Sequence, residues 1–230
     1  MLKGYIEEKT LFGHNDVTGF GSSGFCVKEI NREIANNIII KNHYSKKVYS
    51  ATYIHLGVFI KNELLGVLQY GYAMNPASQA GIVANTEINE YLELNRMWID
   101  DKAGRNTESK AISYSIKYIK RKYPKIKWIQ SFADERCGCF GIVYQAANFK
   151  YYGEHNQIFW TLNGETFHNS LMTRDPKLSK KAAYIQENKA KAESSSLRQF
   201  RYIYFINKKS IKDCLLKEKP YEKHYKQIKR

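Results

Sequence analysis

The sequence predicts a mixed α/β fold, with a central, largely antiparallel sheet flanked by helices. Three observations predict it. Two strand-like runs, Tyr53 to Ile60 and Leu64 to Tyr72, are separated only by Lys61-Asn62-Glu63, a span that closes an antiparallel hairpin. Ile112, Ile116, Ile119 and Tyr123 form one helical stripe that ends at Pro124, a stop signal. Strand-like runs then return on both sides of that helix. The chain has 230 residues, 43% hydrophobic and 14% aromatic, so it can bury a core and is not a disordered chain.

Each element follows in order. Gly19 to Gly24 reads as a flexible Gly/Ser loop. Ile30, Ile34 and Ile38 recur at four-residue spacing and mark a helix ending near Lys41. After the hairpin, Glu87 to Ile99 holds a strand over Tyr91 to Trp98, and Asp100 to Asn106 is a polar loop around Gly104. Thr107 can cap the long helix, with Glu108 and Ser109 in its first turn. Ile126 to Phe132 is a buried strand, Asp134 to Gly141 a loop and Ile142 to Asn148 a short helix. Phe149 to Tyr152 begins another strand, and Gln157 to Leu162 is one more. Asp175 to Ser196, with Pro176, many lysines and three serines at its end, reads as loop or exposed helix. Arg201 to Ile206 is a strand, and Lys217 to Arg230 a charged tail with Tyr221 and Tyr225 interleaved. The expected organisation is a core over 1–170, a polar basic connection over 171–200, and a C-terminal strand with a basic tail over 201–230.

Lys and Arg number 37 against 22 Asp and Glu, a net charge of +15. From Leu171 on there are 17 cations and 6 anions, so most of the excess lies in the last quarter. A chain this basic suits a polyanionic partner such as nucleic acid, RNA or an anionic membrane surface. A genome that uses Lys heavily explains the same composition. No run of eighteen apolar residues exists, so no membrane span is expected, and Met1 to Glu8 lacks the apolar core of a secretory signal. Cys26, Cys137, Cys139 and Cys214 are scattered. The one close pair is C-x-C rather than a zinc knuckle, and reduced thiols in a cytoplasm are expected.

Four segments place polar residues at strand or helix ends, where sites in open α/β sheets collect. They are Asn42-His43-Tyr44-Ser45, Leu94-Asn95-Arg96-Met97, Asn106-Thr107-Glu108-Ser109, and Ser131-Phe132-Ala133-Asp134 leading to Tyr144. Each carries a plain alternative. His43 suits the C-terminal end of a helix, or a metal or acid/base role. Asp134 suits a cap for the turn after it, or a site carboxylate. Tyr144 suits the core beside Val143, Ala146 and Ala147. Arg96 suits a pair with Glu93 or Glu87, or a contact to phosphate or a donor. Ser109 suits a first helical turn, or a hydroxyl that orients a donor.

The run of strand, polar loop, helix, strand, short helix and strand resembles the core of the GNAT acyltransferase fold. That resemblance implies that Asp101 to Thr107, with its one glycine Gly104, offers backbone N–H groups to a pyrophosphate. It implies acyl-CoA or a related donor held near Arg105, Asn106 and Ser109, and gives Tyr144 the place of a general acid.

The four segments, with Gly141-Ile142-Val143-Tyr144-Gln145-Ala146, also resemble the Mom family of phage DNA-modification proteins. The likeness runs from His43 to Gly153, with an echo at Trp160 to Arg174. It implies a GNAT-like fold and conversion of adenine in double-stranded DNA to N6-(methylcarbamoyl)adenine, a mark that protects DNA from restriction nucleases. It implies a phage or prophage source, action in the bacterial cytoplasm and an iron-dependent site at His43. The site residues it implies are Asp134, Tyr144, Ser109, Arg96 and Tyr44 for catalysis, and His43, Tyr44, Asp134 and Tyr144 around iron(II). The donor is left open, as is the oligomeric state, with a homodimer among the options. The chemistry requires a flipped base stacked on aromatic rings, cations on phosphates, and a base such as Asp134 or His43 for the N6 proton. His43, Asp134 and Tyr144 are expected to share one pocket, and Lys217 to Arg230 to add non-specific DNA affinity. Two further readings stand beside this one. One is an acyl-CoA-dependent N-acetyltransferase for a protein or small molecule. The other is a non-catalytic basic DNA-binding protein.

Overall fold

The computed structural model describes residues 4–11, 13–138 and 140–221. Its strands are β1 (Tyr5–Lys9), β2 (Asn15–Ser22), β3 (Phe25–Glu29), β4 (Thr52–Ile60), β5 (Glu63–Gly71), β6 (Tyr91–Ile99), β7 (Trp128–Asp134), β8 (Lys150–Leu162), β9 (Glu165–His168) and β10 (Glu193–Phe205). Its helices are α1 (Arg32–Asn42), α2 (Pro76–Ala80), α3 (Thr107–Lys122), α4 (Ile142–Ala146), α5 (Ser170–Thr173) and α6 (Lys180–Glu187). The strands are hydrogen-bonded in the order β1-β2-β3-β4-β5-β6-β7-β10-β8-β9. Neighbours from β1 to β6 pair antiparallel, β6 and β7 pair parallel, and β8 and β9 pair antiparallel. This is the mixed, mostly antiparallel α/β sheet that the sequence predicts.

Two compact units divide the chain, and they interleave along it rather than following the boundaries at 170 and 200. The first takes the described residues up to 131, then 141–152 and 202–221; the second takes 132–138, 140 and 153–201. The division is interleaved because β7, β8 and β10 each begin in one unit and end in the other.

In the first unit, α1 and α3 cover opposite faces of the sheet. Gln69 donates from Nε2 to Asn36 Oδ1 of α1 at 2.9 Å, while the next residue, Tyr70, reaches Ser115 of α3 with its hydroxyl at 2.5 Å. Adjacent strand residues point to opposite faces, so the two helices must lie on opposite sides. On the α1 side, Ala35, Ile39 and Val67 are fully buried with Trp98 packed on them. Ile39 and Val67 each contribute about 1.5–3 kcal/mol by leaving water. On the α3 side, Ile112, Ser115 and Ile119 are fully buried. A third cluster joins Tyr91, Trp128, Ile203 and Phe205, with the Tyr91 and Trp128 rings stacked at 4.7 Å. The second unit has its own small core of Leu162, Phe167 and Ile185.

Four expectations need correction. Gly19 to Gly24 is a turn only at Ser23-Gly24: Gly19 and Gly21 lie within β2. A Cβ at Gly19 would sit 2.4 Å from the Val27 carbonyl, and Gly21 has φ +135. The glycines permit a close ladder with β3. Second, Asn106, in a left-handed conformation, takes the position ahead of α3; Thr107 is its first residue and donates its hydroxyl to the Ala103 carbonyl at 2.7 Å. Third, the two strands expected from Phe149 and from Gln157 are one, β8. Fourth, Ser194 to Ser196 belong to β10, and Lys180–Glu187 is a helix that buries Ala182 and Ile185. Cys139 and the tail beyond Tyr221 lie outside the described residues, as do Met1 to Lys3. Within the first part of the tail, the Lys219 amide donates to the Tyr151 carbonyl at 2.8 Å. Among the described residues, no helix is long and apolar enough to cross a membrane.

Candidate functional site

On the α1 face of the first unit, residues from α1, the loop after it, and β4 to β7 form a polar cluster. The Asn31 side chain caps the start of α1, and His43 ends the helix with its N–H on the Ile39 carbonyl at 3.0 Å. The His43 ring is only 7% exposed. Its Nδ1 accepts from the Ser45 backbone N–H at 3.1 Å and lies 2.8 Å from the Ser45 hydroxyl. A backbone amide can only donate, so this assigns the neutral ring's proton to Nε2. Burial first, and the Arg96 charge second, lower the His43 pKa from 6.5 to about 4. The Tyr44 ring lies against His43 at 4.3 Å and is more than half exposed.

Arg96 reaches this face through a β-bulge. In the β5–β6 ladder Gln69 pairs with Arg96 and Tyr70 with Leu94, leaving Asn95 as an extra residue. Strict alternation would put Glu93 and Arg96 on opposite faces. The bulge puts both on the α1 face, together with Gln69, Val67 and Gly71. Arg96 donates from Nε to the Lys47 carbonyl at 3.2 Å and from Nη1 to the Asn95 carbonyl at 2.7 Å, and its guanidinium lies 5.8 Å from the Tyr49 ring centre. Glu93 is held by two neutral amides, Asn95 Nδ2 at 2.9 Å and Gln130 Nε2 at 2.8 Å. Tyr49 has its pKa raised by burial first, then by Glu93, with Arg96 opposing. β6 and β7 pair in parallel from Tyr91↔Trp128 to Glu93↔Gln130, and the Ser131 hydroxyl donates to the Leu94 carbonyl at 3.1 Å.

The α3 face carries a different feature. A cleft of about 510 Å³ is lined by Arg105, Asn106, Ser109 and Lys110, with Gly24, Phe25 and Ala146 among its other walls. The N-terminus of a sixteen-residue helix opens into it. Ser109 is a first-turn residue whose hydroxyl donates to the Asn106 carbonyl at 3.1 Å. Unpaired N–H groups at a helix start, with two cations beside them, favour an anion. Tyr144 of α4 lies on this side too. Its ring packs on Phe149 and Tyr202 at 5.8 and 5.5 Å, and it is one of the charges felt by Tyr70. Its hydroxyl-bearing ring is 9% exposed, so the plain reading as a core residue holds for its body.

In the second unit, Asp134 caps the turn after β7, as one reading of the sequence expects. Its carboxylate accepts from the Arg136 amide at 3.0 Å and from Arg136 Nε and Nη2 at 3.0 and 2.5 Å. The Arg136 guanidinium stacks 4.0 Å from the Phe159 ring centre. His168 sets its edge on the same ring at 5.6 Å, touches Gln157 through Nε2, and repeats the His43 turn: Nδ1 accepts from the Ser170 amide at 3.0 Å. Burial first, then Arg136, lower its pKa.

The expected residues thus fall into three groups: His43, Tyr44 and Arg96 on the α1 face; Arg105, Asn106, Ser109 and Tyr144 on the α3 face; and Asp134 in the second unit. The four residues expected around iron have protein partners here. His43 Nδ1 is held by its own turn, Asp134 by Arg136, and Tyr144 lies among aromatic rings. Among the described residues no cluster of three or more His, Cys, Asp or Glu is poised to hold a metal. His55 stays on the α1 face, with Nδ1 3.1 Å from Gln69 Nε2. Sequence reasoning missed Tyr49 and Gln130, and named Glu93 only as a possible pair for Arg96. The available signal was Asn95, a poor strand former inside an apolar strand.

Three comparisons with known proteins bear on these groups. Residues 24–223 match a family model described as the Mom protein family. The protein named "Methylcarbamoylase mom" from Escherichia phage Mu is 44% identical over 210 residues, 90% of this chain and 87% of that one. Among solved structures, the ribosomal-protein-S5-alanine acetyltransferase of Vibrio fischeri is 11% identical with a TM-score of 0.48, covering 83% of this chain and 97% of its own. Arabidopsis thaliana NAA60 in complex with acetyl-CoA is 10% identical with a TM-score of 0.49, covering 79% of this chain and 99% of its own.

Proposed function

We propose, from the premise that this chain belongs to the Mom protein family, that it transfers a methylcarbamoyl group to N6 of adenine in double-stranded DNA. The observation that carries the reading is the 44% identity to the phage Mu methylcarbamoylase across nearly the whole chain. The net charge of +15 supports a polyanionic substrate, held through its phosphates. The mark would shield DNA from restriction nucleases in the bacterial cytoplasm.

The two faces of the first unit divide the work in this reading. The cleft at the α3 N-terminus, with Arg105 and Lys110, receives the anionic part of an acyl-CoA-like donor, and Ser109 contributes its hydroxyl there. The α1 face receives the flipped base. Neutral His43, with its proton on Nε2, serves as a donor to a developing negative oxygen rather than as a proton acceptor. Arg96 positions the Lys47–Tyr49 segment. Tyr144 lies on the donor side, where a phenol can protonate a departing thiolate, and the proton released from N6 as its bond to carbon forms returns to that phenolate. Asp134 takes part in chemistry only when Arg136 releases it. The donor cleft also supports a second reading, ordinary acyl-CoA-dependent N-acetylation of another amine.

Mass spectrometry of nucleosides from DNA of bacteria expressing the chain separates these readings. The proposal expects deoxyadenosine heavier by one methylcarbamoyl group. Unmodified deoxyadenosine in cells that accumulate folded protein contradicts it.

A further inference from the structure

We propose that the end of α1 and the loop after it grip the DNA: Lys41 and Lys46 neutralise backbone phosphates beside the flipped adenine, and the Tyr44 ring between them stacks on an unpaired base. The inference rests on the DNA reading above and names the segment of the α1 face that holds the nucleic acid.

Three observations carry it. The first is charge. From Ile34 to Asn62 the sequence contains no Asp or Glu, while Lys41, Lys46 and Lys47 gather around His43. Lys41, Tyr44, Lys46, Lys47 and Val48 are all exposed. Among the described residues, neither Lys41 nor Lys46 pairs with a carboxylate. Two ammonium groups without an internal counter-ion keep their charge for a polyanion.

The second observation is that the loop is tied down before any ligand arrives. The Lys46 amide donates to the His43 carbonyl at 2.8 Å, and Arg96 Nε holds the Lys47 carbonyl at 3.2 Å. The Thr52 hydroxyl donates to the Tyr49 carbonyl at 2.9 Å, and Arg32 Nη2 reaches the Ser50 carbonyl at 3.4 Å. A backbone fixed in this way loses little entropy on binding, so its exposed side chains act as a preformed surface.

The third is the Tyr44 ring. It is more than half exposed, yet His43 backs it at 4.3 Å. An aromatic face set between cations suits a nucleic acid rather than a simple anion, because every base has a face to stack and a phosphate to neutralise. The His43 ring behind it is the group that the reading above places at the reaction. The grip therefore adjoins the place where the flipped base must go.

The two parts of the grip leave separate signatures. Each neutralised phosphate releases counter-ions and steepens the dependence of affinity on salt, while stacking adds affinity with little salt dependence. All measurements use the full chain. Lys46→Asn and Lys61→Asn form the critical pair, read on a duplex of mixed sequence. Both lysines have left-handed backbone, φ 47 and φ 48, a conformation that Asn tolerates, and each substitution removes one positive charge. They differ in place, because Lys61 follows β4 at its far end, about 25 Å from Thr52. Lys46→Asn should lower the slope of log affinity against log salt by about one, and adding Lys41→Gln by about one more, with Lys61→Asn at the wild-type slope. Equal slopes for Lys46→Asn and Lys61→Asn overturn the proposal, since binding would then follow net charge alone. On single-stranded oligo-deoxyadenosine, Tyr44→Leu should bind about fivefold more weakly or worse, and Tyr44→Phe as wild type does. Wild-type affinity in Tyr44→Leu overturns the assignment of Tyr44. Thermal midpoints should match wild type throughout, because every substituted side chain is exposed. Wild type that shows these slopes yet leaves cellular DNA unmodified supports the grip and contradicts the transfer reading. Modified DNA with equal slopes does the reverse, so the two fail separately.

Discussion

The first and second units contain the same small device in different company. In each, a His-x-Ser turn directs histidine Nδ1 to an amide two residues on: His43 to Ser45, His168 to Ser170. In each, an arginine and a carboxylate stand near, and burial holds the ring neutral. The difference lies in who holds the carboxylate. In the second unit Arg136 grips Asp134 through its amide, Nε and Nη2, and the pair neutralises itself. In the first, Arg96 donates to the Lys47 and Asn95 carbonyls, and Glu93 accepts from the Asn95 and Gln130 side-chain amides. A self-neutralised pair stabilises a turn. In the proposed reading the second cluster is structural and the first carries the chemistry.

The contrast breaks most visibly at the arginines. Asp134 is only 7% exposed, so Arg136→Ala leaves a buried carboxylate unpaired. We expect a loss of about 3–5 kcal/mol in denaturant unfolding. A variant that stays stable but loses modification would move the chemistry to the second unit. Arg96→Ala removes two bonds to carbonyls, each worth about 0.5–1.5 kcal/mol, or up to twice that with a charged donor. Its larger effect should appear in modification of cellular DNA, at least about hundredfold lower. Modification that falls only with the folded fraction would make Arg96 another structural arginine.

The sequence makes visible what local pattern encodes. The Lys61-Asn62 turn and the stripe of α3 are local and form where expected; α1 forms too, but it buries Ala35 and Ile39 and leaves Ile34 exposed. Both turn residues have positive φ, 48 and 69, as the tight hairpin requires. β1 to β3 escaped because Gly19 and Gly21 look like loop residues. Only the close approach of β3 explains them. The candidate site divides the same way. His43, Arg96, Ser109 and Asp134 stand out as polar residues at element ends. Glu93, Tyr49 and Gln130 do not, because their meeting depends on a one-residue bulge that reverses the side on which β6 presents its odd-numbered positions. Alternation read from sequence would send Glu93 away from Arg96. The separation of Tyr144 from His43 was likewise hidden. Which face a short helix covers is decided by packing, here α4 against α3, and not by its own sequence.

Two smaller effects sharpen the picture. Arg105→Ala combined with Lys110→Ala should weaken binding of coenzyme A by about tenfold in calorimetry at low salt, and the difference should shrink as salt rises. Unchanged affinity would remove the donor from the α3 cleft. The smallest effect is a pH dependence of stability. His43 titrates at about 4 in the folded chain and near 6.5 when unfolded. The unfolded state therefore binds the proton first as pH falls. His43's contribution is fully present above about 6.5 and is lost on acidification toward 4. His168 shifts in the same direction. Replacing His43 by Asn should flatten part of this slope in thermal melts at a series of pH values. An unchanged slope would mean that the ring is not held neutral.

The most direct test sets the two turns against each other. An Asn side chain places its carbonyl oxygen near the position of Nδ1, so His43→Asn and His168→Asn both keep the turn and both lose Nε2. Each variant is expressed in bacteria, and modified deoxyadenosine is measured against wild type together with the thermal midpoint of the purified protein. The account predicts that His43→Asn loses modification by at least about hundredfold while its midpoint stays close to wild type, and that His168→Asn modifies DNA as wild type does. Full modification by His43→Asn, or its loss in a well-folded His168→Asn, would contradict the assignment of chemistry to the α1 face.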